Sequence, residues 1–241
     1  MEAIKTENLT KYYGKSRGVL ELNLSVEQGE VFGFIGPNGA GKTTTLKMMT
    51  GILKPDSGSI RIDGFDMLKE PLKAKQVIGY IADCPDMFLR LKGIEFLNLI
   101  SDIYKVPTSA RQERIKSFAT RFDLADVLDE PMQNYSHGMR QKIMVAAALV
   151  HDPEVWILDE PLTGLDPKSA YTLKTMMREH ADAGNSVLFS THVLEVAEKL
   201  CDKVIIINHG RTLFYGTLEE LISQYPDMDL EKIFLEMTAH E

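Results

Sequence analysis

Val31-Phe32-Gly33-Phe34-Ile35-Gly36-Pro37-Asn38-Gly39-Ala40-Gly41-Lys42-Thr43-Thr44 decides the fold of this chain. Its first five residues are nearly all apolar, as expected of a strand buried on both faces. The octet Gly36–Thr43 fits G-x-x-x-x-G-K-[ST]. Glycines let backbone N–H groups crowd around phosphate oxygens with no Cβ in the way. The helix expected from about Gly41 points its positive end at the same phosphates. Lys42 would reach the β- and γ-phosphates, and the Thr43 hydroxyl would ligate Mg²⁺. A chance match arises in on the order of one chain per hundred of this length, and a strand before with a helix after makes chance a poorer explanation. The candidate ATP-binding residues are therefore Gly36, Pro37, Asn38, Gly39, Ala40, Gly41, Lys42, Thr43 and Thr44.

Upstream, Leu20, Leu22, Leu24 and Val26 alternate with polar residues, the period-2 pattern of a half-buried strand, and a Gln28-Gly29-Glu30 turn follows. Downstream, the helix should end near Gly51, a plausible C′ glycine. Lys54–Gly58 reads as a turn, and Ser59–Ile62 and Ile78–Ile81 as short strands. From about Cys84 to Val150 the pattern is helical: Ile94, Leu97, Ile100, Ile103 and Tyr104 recur at helical spacing, as do Ile115, Phe118, Ala119 and Phe122. Alternation then returns. Strands are expected at Val155–Leu158, Ser186–Phe189, Val204–Ile207 and Thr212–Tyr215, and helices at Ser169–Ala181 and Val193–Leu200. Strand–helix alternation implies an α/β fold with a mainly parallel sheet. The expected organisation is one domain over 1–241: a catalytic core in 1–83 and 151–216, with an N-terminal antiparallel β part, a helical insert at 84–150, and a short helical tail at 217–241.

Val155-Trp156-Ile157-Leu158-Asp159-Glu160 is an apolar strand ending in two acids. Ligands sit at the carboxyl ends of parallel strands in such sheets. Asp159 is a candidate Mg²⁺ ligand, directly or through water. Glu160 is then placed to orient and polarise an attacking water.

Composition narrows the function classes. The net charge is −8, from 27 basic and 35 acidic residues, with no long block of like charge. That is a poor basis for sequence-independent nucleic-acid binding, which runs on Lys and Arg. The two cysteines, Cys84 and Cys201, lie far apart in no metal-ligand spacing and read as buried apolar residues in a reducing compartment. No secretory signal is evident, and no stretch approaches ~20 apolar residues, so another chain would supply any membrane spans.

Tyr135-Ser136-His137-Gly138-Met139-Arg140-Gln141-Lys142 resembles the signature segment of ATP-binding-cassette (ABC) ATPases, usually Leu-Ser-Gly-Gly-Gln followed by Arg-Gln-Arg. The resemblance spans essentially the whole chain and implies a P-loop NTPase fold. It also implies two cassettes paired head to tail around two ATP molecules, the phosphate loop of one facing the signature of the other. Ser136, His137, Gly138 and Met139 would then act on the partner's nucleotide, although Tyr135, His137 and Met139 depart from the usual pattern. Tyr13, before Gly14, resembles the aromatic that stacks on adenine, with Tyr12 as a rival. Gly164-Leu165-Asp166 resembles the loop linking the two sites, although Asp166 could instead cap the helix after Pro167. His192, in Ser190-Thr191-His192, resembles the switch histidine that contacts the γ-phosphate and the catalytic water. Asp83 stands where the family usually has a glutamine that touches Mg²⁺ and relays to the membrane subunit; its carboxylate keeps the capacity to bind the ion. The expected catalytic residues are Glu160, His192 and Lys42, and the expected metal ligands Thr43, Asp159 and Asp83. The implied partners are a second cassette, a homodimer being favoured, and a membrane permease gripping the groove near Asp83–Arg90. The implied location is the cytoplasmic face of the membrane. The signature, the acid at 83 and the short tail resemble bacterial drug, antibiotic and peptide exporters. The alternatives are a cassette ATPase without transport and a nucleotide-gated regulatory module.

Overall fold

The computed structural model describes residues 1–14, 16–83, 86, 88–225 and 228–239. Strands β1 (Glu2–Tyr13) and β2 (Ser16–Glu27) pair antiparallel, and β3 (Val31–Ile35) leads through the glycine-rich loop into α1 (Lys42–Met49). β4 (Ser57–Ile62), β5 (Phe65–Asp66), α2 (Pro71–Gln76) and β6 (Ile78–Ile81) follow. Three helices come next: α3 (Gly93–Ile103), α4 (Thr108–Arg121) and α5 (His137–Leu149). Then β7 (Val155–Leu158), α6 (Pro167–Asp182), β8 (Ser186–Thr191), α7 (Leu194–Leu200), β9 (Lys203–Asn208) and β10 (Arg211–Gly216) precede two tail helices, α8 (Leu218–Gln224) and α9 (Leu230–Ala239).

Two sheets result. One is antiparallel, in the order β2-β1-β4-β5; the other runs β10-β9-β3-β8-β7-β6. In the second sheet β9, β3, β8, β7 and β6 are parallel neighbours, and β10 is an antiparallel edge. The mixed α/β architecture expected from the sequence is the one observed.

Period-2 alternation assigns each face of the parallel sheet to a core. Val155, Ile157, Leu188, Phe32 and Phe34 pack with Leu46 and Met48 of α1 and with Ile4, Leu9, Leu22 and Leu24 of the antiparallel sheet. Trp156, Leu158, Val187 and Phe189 point the other way, into a cluster with α5, α6 and the apolar faces of α3 and α4. Each large side chain fully buried this way contributes roughly 1.5–3 kcal/mol. The strands that carry the loop and the acids are thus clamped from both sides. Cys201 packs against Gly33 of β3, and burial pushes its thiol well above the usual range. Cys84 lies outside the described residues.

α1 ends as its sequence predicts. Gly51 adopts φ +66°, its N–H donates to the Met48 carbonyl at 3.1 Å, and the Ile52 N–H donates to the Lys47 carbonyl at 2.9 Å. This paired pattern closes a helix on a left-handed glycine.

Candidate functional site

The loop between β3 and α1 is shaped by two close approaches. A Cβ on Gly36 would lie 2.5 Å from the Ile207 carbonyl oxygen of β9. Gly41 adopts φ +108°, and a Cβ there would lie 2.6 Å from the Gly18 carbonyl oxygen of β2. Only glycine fits either place. Gly41 is also the N-cap of α1, and no side chain caps that helix start. The first-turn N–H groups therefore remain available to an anion. Lys42 is buried, and its ammonium donates to the carbonyls of Gly36 (2.6 Å) and Pro37 (3.2 Å).

Side chains from four separate segments meet at this loop. They line a cleft of about 270 Å³ that includes Tyr13, Pro37, Asn38, Gly39, Gly41, Lys42, Thr43, Thr44, Asp83 and Glu160. The Tyr13 ring lies over Gly18, and its hydroxyl is 3.4 Å from the Thr44 hydroxyl. Tyr12 does not line the cleft; its backbone N–H donates to the Asp56 carboxylate at 2.8 Å. Geometry therefore favours Tyr13 over Tyr12 as the aromatic beside the loop.

The two acids after β7 sit in contrasting surroundings. Asp159 is completely buried. The Ser190 hydroxyl donates to its Oδ1 at 2.6 Å, while Oδ2 has no hydrogen-bond partner. Burial raises its carboxyl above the ordinary range, hydroxyls of Ser190 and Thr43 oppose this, and the charges of Asp83 and Glu160 add to it. A buried carboxylate with one bare oxygen beside a threonine hydroxyl is the donor set that a hard divalent cation takes. Among the described residues no three His, Cys, Asp or Glu side chains gather as a metal cage.

Glu160 adopts φ +46°, a left-handed conformation that costs a non-glycine residue of order 1 kcal/mol or more. Its N–H donates to the Ser190 hydroxyl at 2.9 Å. Its Oε1 lies 3.3 Å from the Lys42 ammonium, and its Oε2 lies 3.1 Å from Nδ1 of the half-exposed His192. Lys42, Glu160 and His192 thus form one continuous row of contacts at the mouth of the loop. Ser190 was a residue of the strand end in sequence and nothing more, yet it holds both acids. Its position at the carboxyl end of β8, where ligands sit in such sheets, was the available clue.

The remaining candidates lie elsewhere. Ser136 caps α5, accepting the Met139 N–H at 3.2 Å. None of Ser136, His137, Gly138 and Met139 lines the phosphate cleft of its own chain. Asp166 caps α6: it accepts the Ser169 N–H at 3.0 Å and the Ser169 hydroxyl at 2.6 Å, and it lies 3.3 Å from the Lys142 ammonium. These donors, the Ser169 hydroxyl first, hold its carboxyl well below the usual range.

Comparison with known proteins gives a consistent result. Residues 19–163 match a family model described as ABC transporter. Over 220 residues the chain is 36% identical to the ABC transporter ATP-binding protein NatA of Bacillus subtilis (strain 168), covering 91% of this chain and 89% of NatA. Over 221 residues it is 38% identical to the daunorubicin/doxorubicin resistance ATP-binding protein DrrA of Streptomyces peucetius, covering 92% of this chain and 67% of DrrA. A solved structure described as the ATP binding subunit of an ABC transporter superposes with a TM-score of 0.93 at 30% identity, covering 98% of this chain and 99% of that one.

Proposed function

Because this chain belongs to the family of ABC transporter ATP-binding subunits, we propose that it hydrolyses Mg-ATP as one of two paired cassettes and so drives a separate membrane permease, in the export direction. The observation that carries this reading is the row Lys42–Glu160–His192 at the phosphate loop, with Asp159 fixed directly behind it.

Tyr13, half exposed beside the loop, would stack on the adenine; such stacking is worth roughly 1–3 kcal/mol. The uncapped start of α1 and the loop N–H groups would cradle the phosphates. Lys42 would exchange its loop carbonyls and Glu160 for the β- and γ-phosphates. Thr43 and Asp159 would hold Mg²⁺, with Asp83 at the cleft edge; the ion, when bound, would neutralise phosphate charge. Glu160 would then orient and polarise the attacking water, held at a fixed angle by Ser190 and His192. His192 would contact the γ-phosphate with the ring nitrogen that Glu160 does not engage. Little bond-making falls to the protein, and the rate would come from positioning and charge stabilisation.

Two features support partners. The capped α5 start, with Ser136, His137, Gly138 and Met139, serves no nucleotide in its own chain, as expected if it faces the ATP of a second cassette. The loop Gly164–Asp166 would lie at the same junction. Phe88, half exposed, lies within the expected docking segment Asp83–Arg90, which suits a permease-facing surface. Cys84, Pro85 and Met87 of the expected docking segment lie outside the described residues. No helix among the described residues is long and apolar enough to cross a membrane. The permease would supply the spans and hold this subunit at the inner face. The likeness to a drug-resistance protein supports export. The net charge of −8 gives no support to a nucleic-acid partner.

Glu160→Gln tests the reading. The variant should bind ATP with wild-type affinity and turn over at least about a hundredfold more slowly, the scale on which a positioned general base acts. Wild-type turnover in the variant would remove Glu160 from the chemistry.

A further inference from the structure

The usual signature has glycine where this chain has His137, and the structure shows where the added ring goes. A Cβ built on Gly164 would overlap the His137 imidazole, with Nε2 at 2.7 Å. The ring therefore lies flush on the Gly164 backbone, which adopts φ +78°. One residue further along, a Cβ on Gly138 would stand 3.1 Å from the Gly164 carbonyl oxygen. Two more residues of the same helix grip the same loop. The buried Gln141 donates through Nε2 to the Pro161 carbonyl at 3.3 Å, and Lys142 pairs with Asp166 at 3.3 Å. The first two turns of α5 thus hold positions 161, 164 and 166 of a loop that begins at Glu160, a residue in a strained left-handed conformation.

We propose that His137 is a positioning residue for the hydrolysis reaction. Seated on Gly164, its ring ties the start of α5, which meets the partner's nucleotide, to the loop that sets the angle of Glu160 on this chain's own nucleotide. The proposal rests on the paired-cassette reading above. The ring replaces a gap that a glycine would leave at the contact, so displacement of the signature is transmitted to Glu160 in the same chain. Close-packed contacts transmit displacement where a void absorbs it.

Four variants of the full chain, assayed with Mg-ATP, test it. His137→Ala should lower kcat by about tenfold, within the hundredfold range that a 1 Å misplacement of a catalytic group can cost. KM for ATP should change less than kcat, because the phosphate loop is untouched. His137→Phe restores a flat ring and should restore kcat. Gly164→Ala should be worse than His137→Ala, since its methyl collides with the imidazole; adding His137→Ala should recover part of that loss. A double variant no faster than Gly164→Ala alone would overturn the proposal, as would wild-type kcat in His137→Ala. A second measurement is independent of turnover. Removing the ring should shift the amide resonances of both Gly164 and Glu160 in ¹⁵N-labelled protein. A shift at Gly164 with Glu160 unmoved would refute the coupling even in a chain that hydrolyses ATP normally. Absent turnover in wild type would instead refute the hydrolysis reading, and the Glu160 resonance would still decide the coupling.

Discussion

Ser190→Ala removes one oxygen and two hydrogen bonds, and its cost can be worked from the contacts. The hydroxyl donates to the buried Asp159 carboxylate at 2.6 Å and accepts the Glu160 N–H at 2.9 Å. Alanine fits the site without a clash, so hydrogen bonding is the main change. Losing a bond to a buried carboxylate costs about 1.5–3 kcal/mol, and losing the neutral N–H bond adds about 1 kcal/mol. The second Asp159 oxygen, Oδ2, is already bare. A loss near 3 kcal/mol corresponds to a fall of about 6–12 °C in Tm for a domain of this size. Differential scanning calorimetry of the ligand-free protein reads this directly. Turnover should fall more than tenfold, since Glu160 loses the anchor that holds its left-handed backbone, while ATP binding through the loop weakens less. An unshifted Tm with normal turnover would refute the claim that Ser190 supports both acids.

Other outcomes follow from the same contacts. Tyr13→Ala should weaken ATP binding by about ten- to a hundredfold, the loss of one stacking platform, whereas Tyr12→Ala should leave the affinity measured with a fluorescent ATP analogue unchanged. Equal effects would reverse the assignment. Acid stability should depend on His151, which stacks on Tyr104 with ring centroids 3.6 Å apart and lies 3.1 Å from the Ile78 carbonyl oxygen. Burial, with help from Arg114, pushes its pKa from 6.5 down to about 4. The folded state therefore prefers the neutral ring while the unfolded chain takes up a proton. This contribution is complete above about pH 6.5 and is lost as pH falls towards 4, amounting to about 3 kcal/mol. His151→Phe keeps the stacking and should lose less stability between pH 7 and 4; a loss equal to wild type would count against the buried histidine.

Much of the fold could be read from sequence because the decisive elements are extreme. β3, β7 and β8 are buried at every position and spell near-continuous apolar runs. β1 did not stand out, because bulges at Thr6–Leu9 and Leu9–Lys11 break the alternation that marks a strand. α2 is six residues long and buries only Ala74, too little for a helical period to register. Helix boundaries differed where capping decides them: α6 begins at Pro167, two residues before the expected start, because Asp166 supplies its cap.

The site shows the same division. Loop, acids and histidine stood out as short motifs, and the structure brings Lys42, Glu160 and His192 together. The supports were not. A single serine in an apolar strand, Ser190, carries no pattern, and Gln141 looks like any polar residue on a helix. Their roles come from neighbours far away in sequence: 31 residues separate Ser190 from Asp159, and 20 separate Gln141 from Pro161. His137 registered only as a departure from a motif, and its contact with Gly164 needed the fold.

Closure of this subunit with a second cassette around ATP is read from the mass of Glu160→Gln protein in size-exclusion chromatography with light scattering, with and without Mg-ATP. The protein should run as a monomer without nucleotide and as a dimer with it. A protein that binds Mg-ATP yet stays monomeric would contradict self-pairing, and one that binds no nucleotide would contradict the site itself.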